Sequence, residues 1–168
     1  MTSRLLVDKI EGKSTTTSLD LSAVTNLQMP AGMIIQVVES SNDGSDTSTT
    51  STSLVDTGHS VTITPKFNTS KILITMLGGR ITYGAVGAIH VELFASIGGG
   101  SYSQVTQFVD ALTQSSSYGM NMAGRVLHSP NTTSTIIYKT QFKSSNGNAQ
   151  YYTSSSQPVS LTATEVTQ

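Results

Sequence analysis

The side chains best suited to acid–base work are three histidines, His59, His90 and His128, and the carboxylates Asp56, Glu92, Asp110 and Glu165. Two carboxylates facing one cleft would hydrolyse a glycosidic bond. A histidine held between a serine and an aspartate would activate the hydroxyl for acyl transfer. The histidines fall in separate stretches with no second ligand at metal spacing, so each reads as a surface or half-buried structural residue. The strand–turn–helix signature G-x-S-x-G of a nucleophilic serine does not occur. Asn42, Asp43, Gly44 and Asp46 faintly resemble a calcium loop, but the closing glutamate is missing and the stretch reads as a solvated loop. There is no cysteine for a disulfide or a thiolate metal site, and no tryptophan to stack on a sugar. The expectation is a non-enzyme without cofactor or metal.

Binding through loops remains. Residues 98–104 form a Gly/Ser-rich tip that carries Tyr102 and Gln104. Residues 115–124 form a second loop with Tyr118 and Asn121. These four side chains are the binding candidates, able to hydrogen-bond and stack on a glycan. The plain alternative is that each tyrosine is merely exposed, or packed on its own strand.

The elements that must hold these loops are strands. Ser60-Val61-Thr62-Ile63-Thr64 alternates with period two, Pro65 ends it, and residues 66–70 read as a reversal. Residues 71–77 run almost wholly apolar, as a strand covered on both faces, and Gly78-Gly79 is expected to stop it. Residues 31–39 form an earlier strand with apolar residues on both faces. Ile89, Val91 and Leu93 share one face of residues 88–95, with His90 and Glu92 on the other. Residues 102–112 read as strand or short helix, and 125–128 as a short strand. In residues 135–142, Ile136, Tyr138 and Phe142 oppose Ile137, Lys139 and Gln141. Asn146-Gly147 is a hairpin signal, Tyr151-Tyr152 starts a return strand, and residues 159–166 close the chain. With no helical stripe, this predicts an all-β fold, an antiparallel β-sandwich of jelly-roll type over residues 30–168.

Serine and threonine supply 51 of 168 residues and charged residues only 11%, a balance that fits strands joined by long polar loops. A net charge of −1 argues against a nucleic-acid binder and against a polybasic membrane anchor. Asp8 and Lys9 interrupt the start of the chain, so no signal-peptide core is expected, and no apolar run approaches a membrane span. Residues 1–29 hold too few apolar groups for a core of their own. They are read as an arm, with Leu5, Val7, Ile10, Leu19 and Leu21 as its assembly contacts, against the alternative of a frayed tail.

Three stretches carry a resemblance. Thr52, Ser53, Asp56, Thr57, Gly58, Ser60, Val61, Ile63, Thr64, Pro65 and Ser70-Lys71-Ile72-Leu73-Ile74 resemble a phrase found in small virion proteins of bacteriophages. These occur chiefly in marine and cyanobacterial phages and are described as tail-fibre or appendage proteins. Pro30-Ala31-Gly32-Met33-Ile34-Ile35-Gln36-Val37-Val38 is similar to the strand that precedes that phrase in the family. Ser160-Leu161-Thr162-Ala163-Thr164-Glu165-Val166 is similar to its final strand. The matches frame residues 30–166 and leave 80–135 without a counterpart.

The resemblance implies a virion protein made in the host cytoplasm, a tail-fibre or appendage component that attaches to a host surface glycan or protein. Its arm would bind other virion proteins. Apolar residues on both faces of 34–38 and 72–77 further predict association, as a homotrimer. A capsid decoration or head-fibre protein is the alternative. A carbohydrate-binding module or glycan-cleaving enzyme is the third reading. No nucleic acid and no membrane insertion are expected.

Overall fold

The computed structural model describes residues 30–42, 46–83, 87–113, 119–145, 149–152 and 158–168. The arm, with Leu5, Val7, Ile10, Leu19 and Leu21, lies outside the described residues, as do Tyr118 and the Asn146-Gly147 turn.

Among the described residues ten strands make two antiparallel sheets. They are β1 (Ile34–Asn42), β2 (Asp46–Thr49), β3 (Val55–Ile63), β4 (Lys71–Tyr83) and β5 (Gly87–Ile97) in the first half. The second half gives β6 (Ser103–Thr113), β7 (Gly119–His128), β8 (Ile136–Ser144), β9 (Ala149–Tyr152) and β10 (Val159–Val166). The second sheet has the order β3-β8-β5-β6. In the first sheet β1 pairs β10, β10 pairs β4, and β7 lies on the other side of β4. Omitting β2 and β9, the chain crosses between sheets at every connection except β5 to β6. The orders β1-β10-β4-β7 and β3-β8-β5-β6 are therefore those of a jelly roll.

Period-two alternation places the core as the residue types require. Val61 and Ile63 of β3, Ile89, Val91 and Leu93 of β5, and Ile136, Tyr138 and Phe142 of β8 are buried against Ile72, Ile74 and Met76 of β4. Val159, Leu161 and Ala163 of β10 complete the other wall.

Several elements differ from the expectation. Gly78-Gly79 does not stop β4. Both glycines have positive φ, 86° and 64°, and form a bulge at which β4 changes neighbour on one edge. Before it, β4 pairs β10; after it, Arg80 to Tyr83 pair β9, which in turn pairs β2. Both β2 and much of β7 fall where loops are expected, whereas residues 103–113 are strand, one of the two readings open for 102–112. β3 starts earlier than Ser60, at Val55, and Thr57, Gly58 and His59 form a bulge between the Asp56–Gln141 and Ser60–Lys139 pairs. Gly58 supplies φ 78°, and its N–H donates to Asp56 Oδ1 at 2.9 Å. The Thr57 hydroxyl bonds across to the Thr140 carbonyl oxygen at 2.9 Å.

Register also fixes which strand ends share a pole. Ile34 lies beside Val166, Val166 beside Lys71, Ile72 beside His128, and Ile63 and Ile97 each beside Ile136. Residue 30, the end of β10 and the turns 64–70, 98–102 and 129–135 therefore lie at one pole, here the near pole. At the far pole β1 ends beside the start of β10, and β7 starts beside Thr82.

Candidate functional site

The acidic residues do not gather. Glu165 is fully buried at the near pole on the inward face of β10. Its carboxylate accepts from the backbone N–H groups of Lys66 at 2.8 Å and Phe67 at 3.1 Å, and from Gln36 Nε2 at 2.6 Å. It thereby pins the turn between β3 and β4 to the last strand. Asp56 pairs with Lys139 Nζ at 2.5 Å, and Glu92 lies 3.5 Å from Lys143 Nζ. Asp110 Oδ1 lies 3.4 Å from His90 Nδ1, which also meets Gln107 Nε2 at 3.1 Å. The last three carboxylates stand on the outer face of the second sheet, each beside a basic group, with no cleft between them. Among the described residues no three histidine or carboxylate groups are placed to hold a metal ion.

Two histidines face inward. His59 is buried on β3 and its Nε2 lies 3.0 Å from the Ser40 carbonyl oxygen. His128 on β7 meets the buried Tyr138 hydroxyl at Nδ1, 2.7 Å away. Burial pushes both imidazoles below the ordinary 6.5, in His59 against the smaller opposing effect of the Ser40 carbonyl. Burial also raises the Tyr138 phenol, which stays protonated and can donate to a neutral His128. Between the folded and unfolded pKa values the folded chain binds fewer protons than the unfolded one. The stability these histidines confer is complete above pH 6.5 and is lost as pH falls from there towards the lowered folded values. The expected result is a urea midpoint that is level from pH 8 to about 6.5 and declines below it. His59→Gln/His128→Gln should flatten that decline. A level wild-type profile down to about pH 5 would contradict the burial of both rings.

Of the sequence candidates, Tyr102 and Gln104 lie in the near-pole half of the second sheet. Gln104, Phe94, Lys139 and Ser60 form one cross-strand row on its outer face. The Lys139 ammonium sits 4.2 Å above the centre of the Tyr102 ring, and the same ammonium pairs with Asp56. One ring face is thus occupied by a cation. Asn121 is exposed on β7 beside Arg80, in the far-pole half of the other sheet. The structure therefore does not bring Tyr102 and Gln104 together with Asn121. A single combined surface is not available to them, because the β5–β6 turn and the start of β7 lie at opposite ends of the sandwich.

The two outer faces differ in character. That of β3-β8-β5-β6 carries the three carboxylate contacts above. That of β1-β10-β4-β7 presents threonines with Ile34, Val37, Leu77 and Leu127, which are 61%, 58%, 53% and 50% exposed. A shallow depression of about 260 Å³ there is lined by Thr75, Leu77, Ala123, Gly124 and Arg125. Sequence reasoning saw the apolar run but not its division. Val38, Ile72, Ile74 and Met76 face the core, whereas Val37, Leu73 and Leu77 face outward.

No family model and no curated protein matches the chain. Solved structures to which the chain shows some similarity include a chain of the T13 IBDV viral particle, 13% identical, with a TM-score of 0.46 over 90% of this chain and 40% of that one. A chain from infectious bursal disease virus Gt strain is 13% identical, with a TM-score of 0.46 over 91% of this chain and 42% of that one. A chain of T=1 particles derived from the same virus is 10% identical, with a TM-score of 0.43 over 91% and 41%. The chain spans about two fifths of the length of these matches.

Proposed function

We propose that the chain is a non-enzymatic structural protein of a bacteriophage virion, a tail-fibre or appendage subunit that works as a homotrimer. Its arm mounts it at the near pole, and the far pole meets the host surface. The observation that carries this reading is the polarity of the sandwich. Residue 30, where the arm joins, lies at the near pole beside the end of β10, with the Gly32 N–H donating to the Thr167 carbonyl at 3.0 Å. The described strand ends Asn42, Tyr83, Gly87, Thr113, Gly119, Ser144, Ala149 and Val159 gather towards the opposite pole. Many strand ends gathered at one end of a rigid β scaffold, with Ser, Gly, Asn and Gln frequent in the sequence that follows them, suit recognition of an external surface. The resemblance of residues 52–74, 30–38 and 160–166 to phage appendage proteins supplies the class.

Adsorption measures this directly. Purified protein, added to host cells first, is expected to compete with the phage that carries it. Asn121→Ala at the far pole should weaken competition by about tenfold, the loss of one good polar contact. Tyr102→Ala, at the near pole, should compete as well as wild type. Failure of the wild-type protein to compete would sink the attachment role. Loss of competition in the Tyr102 variant alone would reverse the assignment of the poles. Antibody labelling that decorated the capsid rather than the tail would select the decoration protein instead.

A further inference from the structure

The outer face of the β1-β10-β4-β7 sheet can be read row by row from its register. Ile34, Val166 and Lys71 make one row, and Val37, Thr164, Leu73 and Leu127 the next. Glu39, Thr162, Thr75 and Arg125 follow, then Ser41, Ser160, Leu77 and Ala123. Among these positions only Lys71, Glu39 and Arg125 are charged. Val37, Leu73 and Leu127 lie in one row, with Ile34 in the row before it and Leu77 two rows beyond, and an apolar patch on a face with so few charges suits an interaction surface.

The arrangement of charge identifies the cover. Glu39 and Arg125 close opposite ends of a single row, on the outermost strands β1 and β7, with β10 and β4 between them. At ~4.8 Å per strand they are about 14 Å apart and cannot pair within one chain. Arg125 has no ion pair among the described residues, and Glu39 accepts only from the Thr162 hydroxyl at 3.1 Å.

We propose that a second copy of this chain covers this face, that the symmetry axis of the assembly runs along its strands, and that Glu39 of one copy pairs with Arg125 of the next. The proposal rests on the homo-oligomeric reading above and names its interface. Rotation about an axis parallel to the strands keeps every row at its own height and brings the β1 edge of one copy to the β7 edge of its neighbour. Glu39 then meets Arg125, and Val37 meets Leu127. An axis across the strands would invert the row order and set the charged row against the row of Val37 and Leu127. The trimer fits the same geometry. Four strands span about 19 Å, and three such faces around an axis stand about 5–6 Å from it, half the ~10 Å at which packed sheets interlock.

The test is a charge swap in the full chain, read as mass by sedimentation equilibrium with circular dichroism as the check on folding. Glu39→Arg and Arg125→Glu should each raise the dissociation constant about tenfold or more, because like charges then face one another. Glu39→Arg/Arg125→Glu should return the wild-type mass. Since the two residues cannot touch within a chain, that recovery reports a contact between chains. A wild-type monomer at micromolar concentration would overturn the proposal, as would a double variant no better than the singles. An assembly unchanged by every swap would overturn it too, while leaving the trimeric appendage standing.

Mixing the two single variants counts the copies. A pair can alternate the variants so that every contact is favourable, whereas a ring of three always keeps one like-charged contact. Full recovery in the mixture would uphold the interface and overturn the three-fold symmetry. Partial recovery would uphold both.

Discussion

Alanine at Gly78 is expected to destabilise the protein by more than about 3 kcal/mol, enough to lower the melting temperature by about 10 °C in a domain of this size. Two effects add. The backbone at Gly78 has φ 86°, in the left-handed region, where a Cβ costs ~1–2 kcal/mol. The Cβ would also lie 2.2 Å from the Pro158 carbonyl oxygen. That oxygen is backbone and already accepts the Gly79 N–H at 3.0 Å, so no side-chain rotation relieves the contact. Relief would require moving the start of β10, where Val159 pairs with Gly78. Gly99→Ala is the control, because φ there is 78° but nothing lies within 4 Å of the new Cβ. Thermal unfolding of the two variants separates the strain from the collision. Equal losses would mean that Pro158 does not stand against Gly78.

Glu165→Ala is expected to cost about 3 kcal/mol, since the backbone N–H groups of Lys66 and Phe67 and the amide of Gln36 lose a charged acceptor together. Glu165→Gln keeps one carbonyl oxygen for the two backbone donors. Its new NH₂ group would face Gln36 Nε2, itself a donor that also serves the Thr64 carbonyl at 2.7 Å. The expected cost is then about 1 kcal/mol. Denaturant midpoints give both numbers. Amide exchange locates them: Lys66 and Phe67 should exchange faster in the alanine variant, with β5 and β8 protected as before. Unchanged protection of those two amides would remove the latch.

The all-β sandwich was legible because alternation needs no partner to be recognised. Val61 and Ile63, or Ile136, Tyr138 and Phe142, face inward in any sheet they join, and here all are buried. Positions whose meaning depends on a neighbouring strand were not legible. Gly78-Gly79 looks like a stop until Pro158 is beside it, when it becomes the bulge at which β4 changes partners. The start of β7 reads as a loop because Gly119, Asn121 and Gly124 are residues that strands disfavour. Gly124 is small for a reason invisible in sequence, since a Cβ there would lie 2.7 Å from the Phe108 ring. Glu165 did leave a trace: it continues the inward series Val159, Leu161 and Ala163, where a carboxylate must find donors.

The candidate binding residues were separated by topology, which local pattern does not encode. Tyr102 follows β5 and Asn121 lies near the start of β7, so they sit at opposite ends although they are only 19 positions apart, because β6 spans the whole sandwich. The apolar run 72–77 reads as a strand covered on both faces. Among the described residues only one face is covered, by Ile72, Ile74 and Met76 meeting the opposite sheet.

The antiparallel pairing of β1 with β10, with residue 30 and the end of β10 at the same pole, also sets how the molecule bears load. Tension applied between residue 30 and the far pole runs along β1 and strains the ladder from Ile34 to Asn42 in shear, with its bonds sharing the force. Tension applied between residue 30 and residue 168 would open the same ladder from one end, a bond at a time. The sandwich is thus stiff to a pull along its length and weak to one that parts its two terminal strands.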